Sequence, residues 1–130
     1  MSGERDLTTL LSNLAPALTP GVYAFCCLQD AAAAPPNVVP LATVHEPEGL
    51  TMVLLVEDAQ RASLPFEGRF RCIRLDVHSS LEAVGLTAWV ATALAEHQIS
   101  ANMLAGAYHD HVLVPEERAT DAMAILSKLR

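Results

Sequence analysis

The sequence predicts an α+β fold of ferredoxin-like βαββα units, arranged as two related halves in which an antiparallel sheet is backed by helices. Residues 71–130 carry the clearest signal, a hydrophobic periodicity that reads strand, helix, hairpin and helix in turn. Residues 7–63 repeat the theme less regularly, as αβββα. The right-handed crossover rule makes a ferredoxin-like arrangement the natural packing of a βαββα run. The halves divide at residues 1–68 and 69–130.

In the first half, Asp6 is placed to cap a short helix whose Leu7, Leu10, Leu11 and Leu14 recur at helical spacing. Pro16 and Pro20-Gly21 end it. Gly21 to Leu28 reads as a strand, with Val22, Ala24 and Cys26 on one face and Tyr23, Phe25 and Cys27 on the other. Asp30 to Pro40 contains four alanines and three prolines and is expected to be an exposed loop. Val39 to His45 forms a second strand, and the apolar run Thr51 to Val56 suits a central strand buried on both faces. A short helix over Asp58 to Ser63 follows, with Pro65 to Gly68 as a linker.

In the second half, Arg71 to Val77 places Ile73, Leu75 and Val77 on a core face and Cys72, Arg74 and Asp76 on a polar one. Ser79 followed by Glu82 is a capping box, which sets the expected start of the next helix. Val84, Ala88, Ala91 and Ala95 are expected to line that helix against the sheet, with Leu94 beside them. Ser100 to Tyr108 and His111 to Val114 make a hairpin that turns at His109-Asp110. Ala119, Ala122, Leu126 and Leu129 form the buried stripe of a last helix.

Bulk properties narrow the function classes. Of 130 residues, 52% are hydrophobic and 18% charged, which suits a packed globular chain; only 5% are aromatic, so aliphatic residues must fill the core. Net charge is −7 with only eight Lys and Arg and no basic cluster. Nucleic acid and anionic lipid both demand a cationic footprint, so neither is an expected partner. The first residues lack the basic start and long apolar core of a signal peptide, and no apolar run is long enough to span a bilayer. Cys26, Cys27 and Cys72 form no disulfide framework and read as buried free thiols in a cytoplasmic protein.

Several segments together resemble a known family. They are Val77-His78-Ser79-Ser80-Leu81-Glu82-Ala83-Val84-Gly85-Leu86-Thr87-Ala88, Ile99-Ser100-Ala101-Asn102 and His109-Asp110-His111-Val112-Leu113-Val114-Pro115. In the first half, Pro20-Gly21-Val22-Tyr23-Ala24-Phe25 and Glu46-Pro47-Glu48-Gly49-Leu50-Thr51 agree with them. The chain resembles a family of small bacterial ACT-domain-like proteins along almost its whole length. The wider ACT group includes the regulatory parts of aspartate kinases. The resemblance implies a βαββαβ fold and amino-acid binding at interfaces between domains.

The resemblance also implies where a ligand lies: between the loop joining the first strand to the first helix of one domain and the second strand of a partner. In this sequence that loop is His78, Ser79, Ser80 and Leu81, running into Gly85, and the facing strand supplies Ser100, Asn102 and Met103 beside Ala101. The chemistry is reasonable, because amides at a helix start attract a carboxylate and Asn102 offers both a donor and an acceptor.

Other readings compete at the same residues. Ser79 serves first as a helix cap, and His78 as a surface or capping histidine. His109 and His111 invite a metal-dependent enzyme, but no spacing argues for a third ligand among His45, His78 and His97. Neither Ser79 nor Ser80 sits in a nucleophile elbow. Glu46 and Glu48 read as a solvated turn, and Met103 and Trp89 as core or interface residues. The expectation is therefore a non-enzymatic regulatory module without metal or cofactor. It binds an amino-acid-type small molecule and acts through the interface of a homo-oligomer, a dimer. The alternative is a homo-oligomeric protein-interaction module with no ligand, motivated by exposed sheet edges.

Overall fold

The computed structural model describes residue 3, residues 6–76 and residues 83–128. Two compact units divide the chain: one is Gly21–Phe70, and the other combines residues up to Pro20 with those from Arg71 onward. The sequence boundary at 68/69 falls inside a single strand, Glu67–Leu75.

The contiguous unit begins with Tyr23–Leu28 and continues through Ala42–Glu46 and Gly49–Leu55 to the helix Val56–Arg61. The residues of Glu67–Leu75 up to Phe70 complete it. Among the described residues, the seven strands in chain order are β1 (Pro16–Leu18), β2 (Tyr23–Leu28), β3 (Ala42–Glu46), β4 (Gly49–Leu55), β5 (Glu67–Leu75), β6 (Asn102–Ala105) and β7 (Asp110–Pro115). The helices are α1 (Leu7–Ser12), α2 (Val56–Arg61), α3 (Leu86–Ala95) and α4 (Ala119–Ser127).

Within the contiguous unit the strand order is β3-β4-β2-β5, so β4 is internal and Met52, Val53 and Leu54 are all buried. The first strand thus lies between the third and the fourth, and the second is an edge. That order is the ferredoxin-like one, with a 3₁₀ turn, Ala31–Ala33, standing where the first helix belongs. Asp30 explains why this turn forms: its Oδ1 accepts the Ala32 N–H at 3.0 Å. The pattern of two sets the core face, where Cys26, Leu28, Leu50, Met52 and Leu54 pack with Ala59 of α2. Phe25, Cys27, Val44 and Thr51 lie on the other face, as their register requires.

The second unit reads β5, α3, β6, β7, α4, with its sheet ordered β1-β5-β7-β6. Its fourth strand is β1, from near the chain start: Pro16, Ala17 and Leu18 pair antiparallel with Leu75, Arg74 and Ile73. The Asp76 N–H donates to Ala15 O at 2.9 Å, and Thr19 N–H to Cys72 O at 3.0 Å. Arg71 Nη2 donates to Thr19 O at 3.0 Å. One core gathers Leu10 and Leu14, Ile73 and Leu75, Leu86, Val90 and Leu94 of α3, Val112 and Val114 of β7, and Ala122 and Leu126 of α4. Both units therefore share one topology, and the expected helix-backed α+β architecture of two related halves is the one observed.

Several local expectations are corrected. Helix α3 starts at Leu86 rather than at the capping box; Ser79 and Glu82 lie outside the described residues, and so do Val77 and Leu129. Gly85, at φ +106°, ends the preceding chain in a left-handed conformation that a right-handed helix cannot include. The buried stripe is Leu86, Val90 and Leu94, spaced by four, whereas Val84 is 82% exposed and Ala88 and Ala95 face solvent. The hairpin turns over Gly106 to His109, not at His109-Asp110; Ala105 pairs with Asp110, and Gly106 N–H donates to His109 O at 2.9 Å. Pro65 to Gly68 is not all linker, because β5 begins at Glu67. Strand β1 was not expected. Cys26 and Cys72 are buried but Cys27 is exposed, and Trp89 is 51% exposed rather than a core residue.

Two substitutions probe the units separately. A Cβ at Gly49 (φ +149°) would stand 2.3 Å from Leu28 O, a backbone atom that cannot step aside. Gly49→Ala is expected to destabilise the protein by about 2 kcal/mol or more. Leu94→Ala, which empties a fully buried site, is expected to cost about 2–5 kcal/mol. Urea unfolding followed by circular dichroism measures both.

Candidate functional site

Of the residues singled out from the sequence, His78, Ser79, Ser80 and Leu81 lie outside the described residues. Gly85 stands at the N-cap of α3, where the positive φ favours glycine and an added Cβ would meet Leu7 Cδ2 at 3.1 Å. Among the described residues, no side chain caps this helix end. Ser100 is exposed just before β6, and Asn102 is exposed as its first residue. Met103, the next residue, points to the opposite face and packs against the core of its unit. Asn102 and Met103 therefore cannot both offer side chains to one ligand on one face.

The path of the chain also separates Gly85 from Asn102. Helix α3 is ten residues long, about 15 Å, and lies between them in sequence. Arg118, just ahead of α4, marks the far end: its Nη2 donates to His97 O at 3.1 Å, close to where β6 begins. Asp76, at the end of β5, instead meets His109 ahead of β7, and that end of the hairpin lies about 10 Å along β6 from Asn102. Among the described residues, one copy of the chain keeps Gly85 and Asn102 apart.

The structure does gather a cluster that sequence reasoning passed over. Arg74 and Asp76 share the polar face of β5, and the guanidinium grips the carboxylate twice, through Nε to Oδ1 and through Nη2 to Oδ2 at 3.1 Å. His109 Nδ1 lies 3.8 Å from the same carboxylate, and His111 is near enough to add to its field. The Arg74 hydrogen bonds hold the Asp76 carboxyl below its ordinary range; desolvation opposes them, and the charges of Arg74, His109 and His111 add to the lowering. The signal was present as an i, i+2 pair of opposite charge on one strand face. Among the described residues, no group of three or more His, Cys, Asp or Glu could hold a metal ion.

A second feature lies wholly in the contiguous unit. A cleft of about 680 Å³ opens on the sheet face away from the core of that unit, with Phe25, Cys27, Val44, Glu46, Thr51 and Glu67 in its lining. Thr51 Oγ1 donates to Glu46 Oε1 and fixes that carboxylate over the sheet. Burial pushes the Cys26 and Cys72 thiols up, which leaves exposed Cys27 as the accessible one.

The two βαββαβ-type sheets agree with what the comparisons find. ACT-domain family models match residues 2–71 and residues 67–128. The chain belongs to the ACT-domain family. ACT domains are typically regulatory modules that bind small molecules, not catalysts. A Vibrio cholerae protein of unknown function, described as a possible transport protein, is similar at 49% identity and a TM-score of 0.86, over 95% of this chain and 94% of that one. The regulatory subunit of aspartate kinase from Thermus flavus shares the fold at 12% identity and a TM-score of 0.64, over 88% of this ACT protein and 95% of that chain. An Agrobacterium tumefaciens protein does so at 16% identity and a TM-score of 0.72, over 90% and 89% of the two chains. No curated protein matches the sequence. Among the described residues, no helix is long and apolar enough to cross a membrane.

The ion pair on β5 makes a signed prediction. A carboxyl depressed in the folded state adds stability above its unfolded pKa and loses it as pH falls through the folded value. In Arg74→Ala, the Asp76 carboxyl is expected to titrate nearer the ordinary carboxylate range, as read by carboxyl-carbon NMR. The variant should be the less stable protein at pH 7 and match the wild type once both are acidified below the folded Asp76 pKa.

Proposed function

We propose that this ACT protein is a non-catalytic regulatory module that binds an amino-acid-type ligand where two copies of the chain meet. Residues 78–85 of one copy and β6 of a second would form the site, with Ser80, Gly85, Ser100 and Asn102 touching the ligand. His78, Ser79 and Leu81 would complete that loop, and Met103 would support Asn102 from the core side of β6 rather than touch the ligand. The observation that carries this reading is the placement of Gly85 and Asn102 at opposite ends of α3, while β6 is the edge of its sheet. An edge strand with an exposed Asn102 can take a partner along its open side, and a second copy can bring its own helix start to that strand. The helix-start amides then receive a carboxylate, and Asn102 receives an amino or carboxyl group.

A dimer and a cytoplasmic location belong to the same reading. Three cysteines without a disulfide support the location. Output passes through the interface that the ligand bridges, since binding to the paired form shifts the population of pairs.

A thermal-shift screen against the common amino acids and related carboxylates tests this. A ligand at one hundred times its Kd should stabilise the protein by about 2.7 kcal/mol, a rise of several degrees in Tm, and Asn102→Ala should abolish the shift. A protein that stays dimeric by sedimentation and shifts with no compound would instead be the ligand-free interaction module.

A further inference from the structure

We infer that the cleft on the contiguous unit is a second binding site, and that it takes a primary amine with an apolar body. The floor comes first. Phe25 and Val44 lie on one sheet face on either side of β4, joined by Cys27 and Thr51, which are cross-strand partners. The Phe25 ring is held edge-to-face by Phe70, with centroids 5.3 Å apart and planes at 81°. Gly68 permits that contact: at φ +78° it carries no Cβ, which would otherwise stand 2.2 Å from the Phe70 ring. The floor is therefore apolar and fixed before any ligand arrives.

The walls decide the charge. Glu46 enters from β3 and Glu67 from β5, on opposite sides of the floor. Among the described residues, no Lys, Arg or His lines the cleft. Thr51 pins one Glu46 oxygen, which spares a side-chain rotamer search and leaves the other oxygen as an acceptor. Two carboxylates over an apolar floor repel a carboxylate ligand and favour an ammonium group whose hydrocarbon part covers Phe25 and Val44. A free amino acid would bring its own carboxylate against Glu46 and Glu67, so this site selects a class different from that proposed for Gly85 and Asn102. It also lies entirely within residues 25–67, so either proposal can fail without the other.

Cys27 provides the readout, because it lines the cleft and is exposed while Cys26 and Cys72 are buried. N-Ethylmaleimide should modify it first, with the site confirmed by peptide mass mapping. Phenethylamine at ten times its Kd is expected to slow that reaction about tenfold and saturably. Phenylacetate, of similar shape and opposite charge, should give no protection. Glu46→Gln keeps the shape, removes the charge and should weaken the amine about tenfold, with Thr51→Val intermediate. The inference is overturned if phenethylamine gives no protection, if phenylacetate protects equally, or if Glu46→Gln leaves protection unchanged. It is also overturned if the Cys27 rate falls with protein concentration alone, since a second copy would then occupy the cleft. The phenylacetate comparison uses the unaltered protein and decides the question even if a variant misfolds.

Discussion

The antiparallel pairing of Pro16–Leu18 with Ile73–Leu75 is the contact on which one unit of this protein rests. A βαββα run leaves its first strand with one open side. In this chain β1 closes it, and residues near the start serve as the fourth strand of a sheet whose other members begin at Arg71. Three ladder positions are few, so the join is reinforced around them: Ala15 O and Cys72 O accept backbone N–H groups, the Thr19 hydroxyl donates to Cys72 O at 2.9 Å, and Arg71 reaches Thr19 O. Leu10 and Leu14 enter the core on the same segment. Burying two leucines is worth about 1.5–3 kcal/mol each, enough to offset closing a loop of this length, whose cost grows only as the logarithm of its size.

The strong periodicities were legible and the weak ones were not. Alternation marked β2, the apolar run marked β4 as internal, and Ala119, Ala122 and Leu126 marked α4, because burial at those positions follows directly from strand or helix period. The start of α3 misled because a capping box is a signal of local sequence, while Leu86, Val90 and Leu94 answer to the core. Alanines at 88, 91 and 95 looked like a helix–sheet contact, yet the larger residues won the buried side. Strand β1 was invisible for a different reason: it is short, begins with proline and gains its identity only from a partner far along the chain. Gly68 read as a linker glycine. It sits in β5 near a register shift against β2, an irregularity of the kind at which a strand takes up a glycine with positive φ.

Site residues were harder to read than the fold. A resemblance carries positions one at a time, but whether those positions converge depends on the path between them. Asn102 and Met103 are neighbours in sequence and opposites in space, as strand geometry demands. Gly85 and Ser100 are separated by a whole helix. The cleft on the contiguous unit is not legible in the sequence because its lining comes from separated stretches, none of which reads as a site by itself. Glu46 was read as part of a solvated turn, and in sequence terms that was reasonable; only the register of β3 on β4 puts it level with a floor of Phe25, Cys27 and Val44.

The discontinuity of one unit has a consequence for biosynthesis. Residues 6–20 leave the ribosome ahead of the rest of their unit, carrying Leu10 and Leu14, but their strand partner is not made until β5 emerges about fifty residues later, several seconds at ordinary rates of synthesis. The contiguous stretch from Gly21 to Phe70 has every strand of its own sheet once β5 begins to appear, so it is the first part able to close. Until then the apolar leading segment is a client for whatever binds nascent chains. The unit that is interrupted is finished after the one that interrupts it.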